Sequence, residues 1–511
     1  MAKKTKIKTS GLFDAPKTAL ELRLEGVQNL YNFLFEACNI IRGPVSQDNF
    51  KDYITPILYY KRISDVYDEE TLDALQESGG DTEYASLPEQ HRFVIPDGCH
   101  WQDVRERTEN LGSAIVGAMR GIELANPDTL YGVLSMFSAQ KWTDKKNLSD
   151  GKIRDLIEHL STRKLGNKDY PTDLMGDAYE ILLKKFADDS KAKAGEFYTP
   201  RSVVQLLVRI LDPQPGESVY DPACGSGGML IEAVHHMNHS SLCCGNIFGQ
   251  EKNVVNSAIA KMNLFLHGAS DFNIMQGDTL RNPKILQGGE VAKFDCVIAN
   301  PPFSLEKWGS VEWSSDKYGR NIWGTPSDSC GDYAWIQHMI ASMAPGKGRM
   351  AVVMPQGVLF RGNEEGRIRE KLVKSDMVEA VVTLGEKLFY GTGLSPCFLI
   401  IRKMKPATHS ARVLMIDGTK ILTPKRAQNI LEQKDVDQLF ELYVNYENVE
   451  DFSQVVTLED IAAKGYDLSP NKYVQYHREA IKPYAEVLAA FKAAYEEVKL
   501  REAEFRNIIN A

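Results

Sequence analysis

Several things are scarce in this 511-residue chain, and each scarcity removes a class of function. No apolar run approaches the roughly 20 residues that span a bilayer, so no membrane partner is expected. No Gly-Lys-Ser/Thr ending follows any glycine, which excludes a Walker phosphate loop and the motor chemistry that goes with one. The eight cysteines fall at irregular positions, including the adjacent pair Cys243-Cys244, with no metal-ligand spacing. They read as reduced thiols of a cytoplasmic protein, and no metal site is expected. Positive charge is also short: 60 Lys and Arg against 69 Asp and Glu give a net charge of -9 and a pI near 5.7. A free-standing basic DNA binder is thereby excluded, and any nucleic-acid contact must come from a local patch or from a partner. The opening Met1-Ala-Lys-Lys-Thr-Lys-Ile-Lys is basic but lacks the apolar run of a signal peptide, and reads as a solvated tail.

What is present suits a large globular protein of more than one domain, with 43% apolar residues. From about Leu20 to Leu165 the pattern is helical: Leu20, Leu24, Val27, Leu30, Tyr31 and Leu34 recur at helical spacing, as do Leu111, Ile115, Ala118 and Met119. Val94 to Trp101 interrupts it as a loop. Near Tyr170-Pro171 the character changes. A helix from Leu174 leads to Glu196-Phe197-Tyr198-Thr199-Pro200-Arg201 and a second helix over Ser202 to Leu211, for which Thr199 or Ser202 is the candidate cap. Short apolar runs then alternate with helical stretches. The strands expected are Val219-Tyr220, Ile247 to Glu251, Ile274 to Asp278, Phe294 to Ala299, Met350 to Met354, Val378 to Leu384 and Cys397 to Ile401. That alternation predicts an α/β fold, a doubly wound and largely parallel sheet.

Two stretches at strand ends carry chemistry. Asp221-Pro222-Ala223-Cys224-Gly225-Ser226-Gly227-Gly228 turns the first strand into its helix, and glycines there allow a tight turn and close approach of a ligand. The turn matches neither a Walker loop nor Gly-x-Gly-x-x-Gly. Glu251, ending the second strand, could hold a ribose diol, and Asp278, ending the third, could face an adenine. Two acidic strand ends without a phosphate loop favour a nucleoside ligand that carries no phosphate. The second stretch is Asn300-Pro301-Pro302-Phe303. Its prolines remove two N–H donors, leaving carbonyl acceptors, one amide and one aromatic face, a set suited to a flat group bearing an amine.

These residues resemble the amino-group DNA methyltransferases, most closely the modification (HsdM) subunit of type I restriction–modification systems. Carrying the resemblance are Glu196 to Arg201, Asp221 to Gly228, Gln250-Glu251, Asn300 to Phe303, Asp332-Tyr333-Ala334-Trp335, Gly348 to Phe360 and Tyr466 to Tyr473. The resemblance implies a Rossmann-like methyltransferase sheet with a helical N-terminal domain (1–168), a methyltransferase domain (169–475) and a C-terminal helix (476–511). It implies S-adenosyl-L-methionine as cofactor, held by Glu196 to Arg201, Asp221, Gly225 to Gly228, Glu251 and Asp278. Asn300, Pro301 and Phe303 would hold the target adenine, flipped out of double-stranded DNA.

No DNA-reading domain is evident. From Ala411 onward about 100 residues carry 13 Lys and Arg against 17 Asp and Glu. At the end, Ile481, Tyr484, Leu488, Phe491, Tyr495, Val498 and Phe505 follow alternating three- and four-residue steps with Glu502 as the one interruption, a coiled-coil-type seam for a partner or for the chain's own N-terminal helices. The resemblance supplies the partner: a specificity subunit shared by two modification subunits, with a motor-nuclease subunit joining for cleavage. The alternatives are a methyltransferase acting on glutamine amides of proteins, which also use Asn-Pro-Pro-aromatic, and a non-catalytic scaffold of the same fold.

Overall fold

The computed structural model describes residues 19–130, 132–134, 139–189, 199–238, 246–269, 271–389, 395–425, 428–477 and 484–509. The basic start of the chain, Glu196 to Tyr198, Cys243-Cys244 and Ile481 lie outside them.

Four long helices open the fold: α1 (Ala19–Ile41), α2 (Phe50–Glu77), α3 (Leu111–Ala125) and α4 (Asp150–Ser161). Val27, Leu30 and Leu34 of α1 and Leu111, Ile115, Ala118 and Met119 of α3 share one core, as their spacing predicts. Leu24 is 59% exposed, one turn before the first buried position, Val27. Helix α2 is buried on nearly all sides, charges included. Its Arg62 donates to the carbonyls of Leu165 and Tyr170 and to the Asn167 side chain, so a buried guanidinium ends its charge on the connection into the next helix. That helix, α5 (Thr172–Asp189), packs along α1.

The helices that follow, short of the C-terminal one, sandwich a sheet. Strands β1 (Val219–Asp221), β2 (Ile247–Glu251), β3 (Phe272–Gln276), β6 (Cys296–Ala299), β7 (Arg349–Pro355), β8 (Val378–Leu384), β9 (Pro396–Arg402), β10 (Arg412–Gly418) and β11 (Ser453–Thr457) lie in the order β11-β10-β8-β9-β7-β6-β1-β2-β3, while β4 (Leu286–Gln287) and β5 (Glu290–Val291) form a small hairpin. Pairing is parallel from β3 through β7 and between β8 and β10, and antiparallel where β9 and β11 meet their neighbours. Strands buried on both faces read as continuous apolar runs, and β6 and β8 are buried at every residue. Helices α6 (Arg201–Leu211), α7 (Gly228–Asn238) and α8 (Val254–Leu266) cover one face; α9 (Asp332–Ser342) and α10 (Asn363–Lys374) cover the other; α11 (Gln433–Asn445) returns to the first. The opposite side of α8, with Ala258, Ile259, Met262 and Phe265, completes the core of the N-terminal helices. Helical region and sheet therefore meet across α8.

The chain winds outward from β1 to β3, then returns to β6 on the other side of β1. The crevice for a ligand in such a sheet opens where the order reverses, at the carboxyl ends of β1 and β6. Two differences from the sequence reading stand out. The sheet does not end near Ala411: β10 and β11 extend it, and acidic composition hid them. The third strand stops at Gln276, two residues before Asp278.

Candidate active site

Each part of the crevice has a local cause. β1 is three residues long and wholly buried, so its polar end, Asp221, is only 2% exposed. Its Oδ1 accepts from the N–H of Ala223 (2.9 Å), which starts the turn. Gly225 (φ +54°) and Gly227 (φ +85°) then take left-handed conformations, and a Cβ on Gly227 would press on Ala260 of α8 at 3.4 Å. Glycine is the residue that closes this turn against α8. The N–H of Gly225 is held by Glu251 Oε2 (2.9 Å), while Oε1 accepts from Asn253 (2.6 Å). One carboxylate thus joins the ends of β1 and β2.

From β6 the chain runs straight into Asn300. Its Nδ2 donates to Thr199 Oγ1 at 2.8 Å, so the amide nitrogen is engaged and Oδ1 is left as the acceptor. This also corrects the cap assignment: the N-cap of α6 is Pro200, with no side-chain cap, and the Thr199 hydroxyl serves Asn300 instead. Pro301 is buried. Phe303 is half-buried, its ring 6.4 Å from that of Phe389, which enters from the loop after β8. Just beyond, Ser304 sits at φ +49° with its N–H on the buried carboxylate of Asp332 (2.7 Å), and Arg361 bridges Asp332 to Glu365. The exit of the loop is pinned by charge.

One cavity is lined by Asp221, Gly225, Ser226 and Gly228 of the glycine turn and by Asn300, Thr199 and Arg201. Residues that the sequence reading missed line it too: Glu180 of α5, Glu232 of α7 and Asn263 of α8. Asp278 is not brought there. It sits past the strand end, pairing with Lys252 at 2.9 Å and accepting from the N–H of Arg281.

The cavity carries several buried carboxylates, and its titrations follow. Burial pushes Asp221 up to about 8, with the charge of Glu251 adding to the effect. Burial likewise takes Glu180 to about 7 against the pull of Arg201, and raises Glu232 and Glu251. Burial alone would lower Arg201, but the carboxylates of Glu180, Asp177 and Glu232 outweigh it and its affinity for the proton rises. Behind them His267 is buried against His235 (3.1 Å) and held down to about 3, a neutral ring.

On this Rossmann-like sheet the glycine turn after β1 and the Asn300 loop after β6 line one cavity, and the match that follows makes the class that of the S-adenosyl-L-methionine-dependent methyltransferases. Comparison with known proteins gives the family. Residues 170–481 match the N-6 DNA Methylase model and residues 30–160 the HsdM N-terminal domain. Among relatives from Methanocaldococcus jannaschii, the type I restriction enzyme MjaVIII methylase subunit is 30% identical over 90% of this chain and 80% of its own length; the MjaIX subunit is 31% identical over 82% and 77%. The MjaVII subunit is 35% identical over 63% of this chain, which spans 56% of that relative. The fold matches that of a type I restriction-modification methyltransferase subunit from Streptococcus thermophilus, at a TM-score of 0.76 and 24% identity, over 88% of this chain and all of that one. The chain belongs to the N-6 DNA methylase family, among the methylase subunits of type I restriction enzymes.

Proposed function

We propose that the chain transfers methyl from S-adenosyl-L-methionine to N6 of an adenine flipped out of double-stranded DNA, at a sequence chosen by a separate specificity subunit. The observation that carries this reading is the single cavity lined both by the glycine turn and by Asn300, with the Asn300 amide nitrogen already engaged by Thr199. In that arrangement Oδ1 of Asn300 and the carbonyl of Pro301 accept the two amino hydrogens. The N6 lone pair, otherwise delocalised into the ring, is then directed at the sulfonium methyl. Phe303 replaces the stacking that the flipped base loses. Asp221 and Gly225 to Gly228 would cradle the cofactor and Glu251 would face its ribose, with Thr199 to Arg201 beside them; Glu196 to Tyr198, outside the described residues, belong to the same proposed set. The cofactor, when bound, would supply the methyl as an electrophilic sulfonium carbon whose bonding electrons stay on sulfur, while Asn300 and Pro301 would hold N6 toward it and the displaced N6 proton would leave to solvent. Alignment of two bound reactants supplies most of the acceleration, about 7–11 kcal/mol in well-oriented cases.

The exposed seam of the C-terminal helix, α12 (Tyr484–Ile509), supports docking on a specificity subunit shared by two copies of this chain, to which a motor-nuclease subunit adds. We place the functional boundaries at 1–168, 169–475 and 476–511. The match to an HsdM N-terminal domain favours this reading over a glutamine methyltransferase, and an engaged Asn300 favours it over a scaffold. The test is transfer of labelled methyl to DNA in the presence of the co-purified specificity subunit. Label is expected on N6 of adenine with the wild-type chain and lost with Asn300→Ala; wild-type complex that labels no adenine overturns the reading.

A further inference from the structure

The inner end of the cavity is built for something the residues named so far do not hold. Asn263, on α8, is 2% exposed. Asn263 lines the cavity; its Nδ2 donates to the carbonyl of Ser226 at 2.8 Å, which fixes the amide, and its buried Oδ1 has no hydrogen-bond partner among the described residues. A buried acceptor left unmade costs free energy unless a ligand fills it. Around the same space Glu180 and Glu232 stand 3.9 Å from the Arg201 guanidinium, which also pairs with Asp177 at 3.3 Å. Arg23 takes the other side of Asp177, and the neutral ring of His267 lies 3.6 Å from Glu180. Acceptors and negative charge outnumber donors at this end, which is the demand of a compact cation with several N–H groups.

We infer that Asn263 Oδ1, with the Glu180 and Glu232 carboxylates, forms the site for the α-ammonium of the cofactor's methionine chain, leaving the near face of Arg201 for its α-carboxylate. The inference rests on the cofactor assignment above and deepens it. Its structural consequence is that α5, the helix linking the N-terminal region to the sheet, contributes a ligand group through Glu180. Cofactor occupancy and the seating of the helical region on α8 are then tied together through one carboxylate.

The amino-acid end can be tested apart from the nucleoside end. The full chain is titrated with S-adenosyl-L-methionine, with S-adenosyl-L-homocysteine and with 5′-methylthioadenosine, which keeps the nucleoside and thioether but has no amino-acid chain. Asn263→Ala and the isosteric Glu232→Gln are expected to weaken the first two ligands by about 10- to 100-fold, as for loss of one charge-assisted hydrogen bond, and to leave the third unchanged. Equal weakening of all three ligands, or none, overturns the inference. Should Asn263→Ala fold poorly, Glu232→Gln decides the matter alone, since it removes a charge and no volume. Wild-type chain that binds none of the three refutes the cofactor reading itself, a result distinct from both.

Discussion

Helix α2 and helix α12 are nearly the same length, 28 and 26 residues, and both carry apolar residues at helical spacing. α2 buries 17 of its residues, polar ones among them. α12 buries none of its described residues: Phe491 is 66% exposed, Tyr495 53%, Val498 57% and Phe505 62%, with only Leu488 partly covered. Packing on the chain's own N-terminal helices is one of two ways to cover that seam, and among the described residues it does not occur. Periodicity announces that a helix has an apolar face; it does not say whose surface will cover it. The same contrast separates the cavity, lined by residues of several elements of this chain, from the α12 seam, which no described residue of this chain covers.

The sharpest way to break that contrast is at the cavity. Asn300→Ala should lower methyl transfer by about 10²- to 10³-fold, the range for losing one preorganised polar group at a reacting centre, with cofactor affinity in calorimetry changed far less. A parallel loss of cofactor binding would mean that Asn300 belongs to the cofactor rather than to the base. In the buried helix, Ile57→Ala should cost about 2–5 kcal/mol in denaturant unfolding, since Ile57 is fully enclosed and the core cannot collapse around the gap. At the exposed seam, Phe491→Ala should leave unfolding free energy within about 0.5 kcal/mol while weakening capture of the specificity subunit at least about tenfold. A large unfolding cost at Phe491 with unchanged capture would reverse the two helices' roles.

A smaller, pH-dependent effect reports on the cavity's electrostatics. Asp221 and Glu180 are raised by burial to about 8 and about 7, so in the free chain both carry protons at moderately acidic pH. A cofactor with sulfonium and ammonium charges binds the ionised carboxylates, and protons must leave as it enters. Affinity is therefore greatest above about pH 8 and falls as pH drops through 8 and 7, by up to about tenfold per pH unit for each proton released. The sign for stability is opposite. A carboxyl whose folded value is raised stabilises the unliganded chain below its unfolded value near 4, and that contribution is lost as pH rises through 7 and 8. Calorimetry in buffers of different ionisation enthalpy should read proton release on binding; proton uptake would contradict the assignment.

Much of this site was legible from residue order alone. The glycine turn could be read because it needs Gly225 and Gly227 at positive φ, and Asn300-Pro301-Pro302-Phe303 because two prolines after a buried strand have few other uses. What escaped was set by packing. Asn263, Glu180 and Glu232 sit on amphipathic helices, where a polar residue ordinarily faces water, and only the crossing of α5, α7 and α8 turns them inward. Thr199 has the place of a helix cap and does other work. Asp278 lies two residues beyond a strand that ends at Gln276, and Gly277, whose N–H still donates to the Glu251 carbonyl at 2.9 Å, hides that end in the residue order. β10 and β11 are short apolar runs within a stretch whose charge is mainly acidic, and residue order does not set them apart there.

The central claim is that the chain holds a complete methyl-transfer site and takes its aim from outside. It is tested most directly by truncating the chain after His477 and measuring two things together: S-adenosyl-L-methionine affinity of the chain, and labelling of adenine in DNA with the specificity subunit supplied. The account predicts unchanged affinity and no labelling. Truncated chain that labels DNA as well as the full-length chain would contradict it.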